Sequence, residues 1–201
     1  SRLEGPRVPS KAGSLARSRT PDKLEPWYGP SRAFNYLAEV QPVLDKHCVK
    51  CHDFGKKGAA KLILAGDKNP YFNVSYMDLW RKKYVGAIGA GRASHQPAYS
   101  WGSHASKLIA VLRKGHNDLK LSREELDRLI TWVDINGPYY PTTYAARSHG
   151  RGPDRAQLGT LGKLTGHKIG GADKTSYRGP MVSFDRPELS PCLARLKPGS
   201  A

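Results

Sequence analysis

Apolar positions gather into helical stripes between residues 33 and 136 and scatter on either side. Phe34, Leu37, Val40, Val43 and Leu44 recur at helical spacing, and Pro42 predicts a break within that helix. A second helix is expected over 76–88, with Met77, Leu79, Trp80 and Tyr84 as its contacts. A third covers 106–115, with Leu108, Ile109 and Leu112 on one face and Gly115 at its end. The clearest is 122–136. Ser122 and Glu125 make a capping box, Leu126, Leu129, Ile130 and Val133 form the stripe, and Asn136-Gly137-Pro138 stops it.

Between these helices "KLILAGD" (61–67) reads as a short extended segment, and 89–106 as a Gly/Ser loop of the kind that lines sites. Residues 1–30 carry no stripe and read as an arm closed by Trp27 and Tyr28. Residues 145–201 read as turns and basic loops, with "MVSFDRPELSP" (181–191) a short strand or docking segment. The expectation is a mainly α protein of three parts: a basic arm (1–30), a helical domain (31–144) and a loop-rich basic extension (145–201).

Composition narrows this further. With 38% hydrophobic residues, 21 Gly and 15 Pro, the core is small and a buried cofactor would enlarge it. The formal charge is +16 and is concentrated in the two arms. Such an excess attracts acidic proteins, nucleic acid or anionic membranes. No nucleic-acid-binding fingerprint accompanies it, and no run approaches the roughly 18 apolar residues of a membrane span. The polar start "SRLEGPRVPS" has no signal-peptide pattern.

Three cysteines are too few for a disulfide framework, but two stand in "HCVKCH" at 47–52. A structural zinc site needs four ligands, and the second cysteine pair is missing, since Cys192 stands alone. A thioredoxin-type disulfide needs a strand before it, whereas a helix precedes this motif. Covalent haem uses every residue of CxxCH: Cys48 and Cys51 form thioethers, and His52 is the axial iron ligand. For the opposite face of the iron the residues leave several candidates: Met77, Met181, His47, His95, His104, His116, His149 and His167. His116 lies in a loop between two helices, a good platform for such a ligand.

"EVQPVLDKHCVKCHD", "KLILAGD" and "SKLIAVLRKGHNDLKLSREELDRLITWVDINGPYYP" together resemble a planctomycete-type c-type cytochrome domain. They are most similar to the C-terminal haem domain of hydrazine synthase alpha-subunit-like proteins, over about residues 27–144. "SFDRPELSPCLARL" (183–196) resembles the end of those chains. The resemblance implies a small cytochrome c-like helical domain around one haem c, in a periplasmic or other extracytoplasmic compartment. In "GHNDLKLS" it implies His116 as partner of His52, a bis-histidine iron, where the wider group often carries methionine. The β-propeller and second haem domain of hydrazine synthase do not fit in 201 residues with one CxxCH. The resemblance therefore implies single-electron transfer rather than that enzyme's reaction, as a cytochrome or as a domain of a larger redox protein.

The expected partner is an acidic redox protein, or other domains of a larger complex. Leu129, Ile130, Trp132 and Val133 are expected as haem walls, between helices 33–46 and 122–136. Two further classes compete. A haem enzyme or ligand sensor would keep an open iron position with His95 or His104 in the pocket. A basic docking module would use haem only as structure.

Overall fold

A computed structural model describes residues 18–23, 25–88, 95–142, 145, 154–170 and 179–196. The chain divides into two units, 1–31 and 32–201. In the first, Trp27 and Tyr28 meet edge to face at 5.4 Å. The second contains the helices described below. Among the described residues the fold is mainly helical, with an isolated β bridge between Lys68 and Asn73.

The first amphipathic stretch is broken as its proline predicts. Helix α1 is Tyr36–Glu39, α2 is Gln41–His47, and Pro42 sits in the first turn of α2. Asn35 caps α1 through its side chain. Leu37, expected on the buried stripe, is 48% exposed because the break at Val40 rotates it to solvent. Helix α3 is the single turn Val49–His52, and it carries Cys51 and His52. Helix α4, Val74–Arg81, starts two residues before its expected position because the Asn73 side chain accepts from Tyr76 N. Helices α5 (Lys107–Lys114) and α6 (Arg123–Asp134) fall where expected, α6 with both capping-box bonds.

The basic extension contains a helix that its sequence pattern did not suggest, α7 at Arg155–Thr165. Its stripe is short, with only Leu158 and Thr165 buried along it, and its capping bond runs from Ala156 N to Asp154. Residues 181–191 form no strand. They dock as bends and 3₁₀ turns, burying Met181 against Phe54 and Met77, and Val182 against Leu158 and Ile169.

The core is aromatic. Tyr36 packs within 5.0 Å of both Tyr76 and Trp132, and Tyr139 stacks on Tyr36 at 5.9 Å. Three of its buried polar tips find named partners. Tyr36 Oη meets Ser75 Oγ, Tyr76 Oη donates to Gly137 O, and Trp132 Nε1 donates to Pro138 O. Gly137 is needed at the end of α6: its φ is +60°, and a Cβ there would stand 2.7 Å from the Trp80 ring.

Two buried carboxylates tie the elements together. Glu39 receives Arg32 and Arg128, which joins α1 to α6. Asp78, wholly buried on α4, accepts from Ile63 N at 2.7 Å and pairs with Arg81 and Lys82. The strip Leu62–Ala65 is thereby fixed on α4 with all four residues buried. Asp78→Ala leaves the Ile63 N–H unpaired and is expected to cost about 1–3 kcal/mol in denaturant unfolding. Asp78→Asn keeps an acceptor oxygen and is expected to cost less.

Candidate functional site

Cys48, Cys51 and His52, together with His116 from a later loop, line one cavity of about 680 Å³. That size lies within the roughly 300–1,000 Å³ of ligand pockets. Its apolar walls are Leu62 and Leu64 from the extended strip, Leu108, Val111 and Leu112 from α5, and Leu119. Leu129, Trp132 and Val133 do not line it. They are buried in the aromatic core, and α5 forms the wall expected of α6. The reason is that the stripe of α6 is taken up by Tyr36 and its neighbours, leaving the outer face of α5 to the cavity.

His52 is oriented from two sides. Its Nδ1 lies 2.8 Å from Leu62 O, and a carbonyl only accepts, so Nδ1 carries the proton and Nε2 the lone pair. Its own carbonyl accepts from Leu64 N at 2.7 Å. Gly58 lies against the ring: a Cβ there would be 2.7 Å from His52 Nδ1 and 2.6 Å from Cys51 O. His116 stands in the loop after α5, exposed, and its Nε2 accepts from the Asn117 amide at 3.3 Å. Asn117 and Asp118 follow with φ of +50° and +54°, a left-handed pair that asparagine and aspartate tolerate.

The ring centres of His52 and His116 are 6.0 Å apart. Imidazoles bound on opposite sides of one metal ion at roughly 2.0–2.1 Å have ring centres about 6 Å apart. The spacing thus suits two imidazoles on one metal ion. Among the described residues no three His, Cys, Asp or Glu side chains group to hold a metal ion, which the tetrahedral zinc alternative would need. Cys48 and Cys51 are free thiols, one half-buried and one exposed. Burial, with Asp45 and Cys51 nearby, pushes the Cys48 thiol up to about 11, far from a reactive thiolate.

The remaining candidates fall elsewhere. Met77 and Met181 are buried together in a satellite core. His95 and His104 are exposed and do not line the cavity, and His104 packs edge-on against Tyr99. His167 lies in the extension after α7, and His149 is outside the described residues. His47 touches the cavity, but its Nε2 engages Glu125 Oε1 at 2.9 Å, across 78 positions of chain. That contact joins α2 to the start of α6.

Sequence reasoning missed the Leu62 carbonyl, the close approach of Gly58 and a collar of lysines at the cavity mouth. None has a local signal, since each depends on where the strip 62–65 and α5 come to lie. No family model, curated protein or solved structure matches the chain.

Lys46 and His47 hold the Glu125 carboxyl below the usual carboxylate range, with the Ser122 amide adding to the effect. A depressed carboxylate stabilises the fold above its unfolded pKa of about 4.3 and loses that contribution as pH falls through its folded value. Glu125→Gln is therefore expected to flatten the decline of unfolding free energy below about pH 5, read by denaturant titration at several pH values.

Proposed function

We propose that this chain is a c-type cytochrome domain with a small cytochrome c-like fold, carrying one haem c and passing single electrons. The observation that carries the reading is the 6.0 Å approach of His52 and His116 over a cavity lined by Cys48 and Cys51. Cys48 and Cys51 would hold the haem by thioethers, and His52 and His116 would ligate its iron. Bound there, the haem would supply a one-electron couple, and two imidazoles favour a lower potential than a histidine–methionine pair.

The protein's own residues do the rest. The Leu62 carbonyl holds the His52 proton on Nδ1 and keeps Nε2 basic. The leucine and valine walls present apolar surface to the cavity. Covalent attachment fits assembly in a periplasmic or other extracytoplasmic compartment. No described helix is long and apolar enough to cross a membrane.

The cavity mouth supports an acidic redox partner. Six lysines line it (Lys46, Lys50, Lys61, Lys82, Lys107 and Lys120), with Asp118 the one acid among them. Lys46 and Lys82 are held by Glu125 and Asp78, and Lys107 sits 4.5 Å above the Tyr84 ring. Lys50, Lys61 and Lys120 are exposed, with no acidic partner among the described residues. This rim complements the carboxylates of the cofactor or of a docking protein.

Protein produced with a haem-attachment system is expected to show a haem-sized mass excess and sharp low-spin bands. His116→Ala is expected to turn the ferric spectrum high-spin and to admit carbon monoxide rapidly to the ferrous form. An unchanged low-spin spectrum would exclude His116 as ligand. Replacing Lys50, Lys61 and Lys120 together by Glu is expected to slow reduction by an acidic redox protein by about tenfold or more at low salt. The difference should fade as salt rises.

A further inference from the structure

Arg186 comes from the far end of the chain and closes onto the residue after His52. Its Nη1 and Nη2 donate to the two oxygens of Asp53 at 2.9 and 2.7 Å. Its Nε and Nη2 donate to the two oxygens of Asp67 at 2.7 and 2.6 Å. One guanidinium thus bridges two carboxylates, a geometry that the planar fork of arginine permits and the point charge of lysine does not. The bridge is itself held in place. Ser183 Oγ donates to Asp67 at 2.6 Å and accepts from Arg186 N, while the guanidinium lies 5.6 Å from the Phe54 ring.

Asp53 is the C-cap of α3, a helix of one turn. It continues from α2 through the helical backbone of Cys48, so its free end is the one that carries His52 and Asp53. The direction of the His52 side chain must then be set by what grips the turn. Leu62 O and Leu64 N grip His52 itself. Arg186 grips the next residue.

We propose that Arg186 is a positioning residue for His52. By pinning Asp53 it holds the end of α3 so that the imidazole keeps its Nδ1–H on Leu62 O and its Nε2 toward the cavity. This rests on the reading of His52 as an axial ligand. The rival role is purely structural: Arg186 would only fasten residues 179–196 to the Asp67 segment.

The two carboxylates separate these roles. Asp53→Asn removes the paired grip on the His52 side and leaves the one on Asp67, and Asp67→Asn does the reverse. Arg186→Lys keeps the charge but loses the bridge. In haem-loaded full-length protein, Asp53→Asn and Arg186→Lys are expected to raise the ferric high-spin fraction, since losing a group behind a ligating histidine weakens metal binding by about tenfold or more. Their midpoint potentials should move with it. Asp67→Asn is expected to lower the unfolding midpoint while leaving spectrum and potential as in wild type.

A low-spin spectrum and potential unchanged in Asp53→Asn would overturn the proposal, as would equal shifts in Asp53→Asn and Asp67→Asn. Should Arg186→Lys fail to fold by circular dichroism, the two Asn variants still decide. Wild-type protein without low-spin haem would instead refute the cytochrome reading, a result visible before any variant is made.

Discussion

A carboxylate taken wholly out of water is tolerable only when its lone pairs are filled, and Asp78 fills one with the backbone of Ile63. That bond decides where the strip 62–65 lies. Once the strip is fixed, Leu62 turns its carbonyl to the His52 ring, Leu64 offers its amide to the His52 carbonyl, and both leucines face the cavity. Gln41 reinforces the same strip, donating to Leu64 O at 3.1 Å and accepting from Asn73 and Ser75. The candidate ligand is therefore positioned by core polar chemistry one layer behind it.

Several described arginines of the second unit brace carboxylates. Arg32 and Arg128 converge on buried Glu39, Arg81 on Asp78, and Arg186 on Asp53 and Asp67. Those guanidinium groups act as cross-braces, where planar, many-pronged donors suit paired carboxylates. Lysines gather at the cavity mouth, several of them exposed. The described positive charge of this unit thus serves two ends: bracing, by four arginines with Lys46 and Lys82, and exposed lysines around the cavity. A bare total of +16 hides the distinction.

Much of this was legible along the chain wherever the determining contacts are local. The capping box of Ser122 and Glu125, the break at Pro42 and the CxxCH run each act within a few residues. His116 as partner of His52 came from likeness to a cytochrome family rather than from spacing, and the folded chain brings the two rings together. The cavity walls were misread because α6 and α5 carry equally good stripes, and only packing decides which faces Tyr36 and which faces the cavity. Helix α7 was missed because glycines at 159 and 162 dilute its stripe. The Asp53–Arg186 bridge spans 133 positions and leaves no periodic trace.

The two imidazoles stand on supports of different character. His52 is cross-braced by a buried strip, a glycine contact and a salt-bridged cap. His116 hangs from an exposed loop that begins at Gly115, where a side chain would meet nothing within 4 Å. Residues 115–118 and 120 are exposed, whereas moving His52 would break its bonds to Leu62 and Leu64. The same cavity thus has one wall built on a buried strip and another built on an exposed loop.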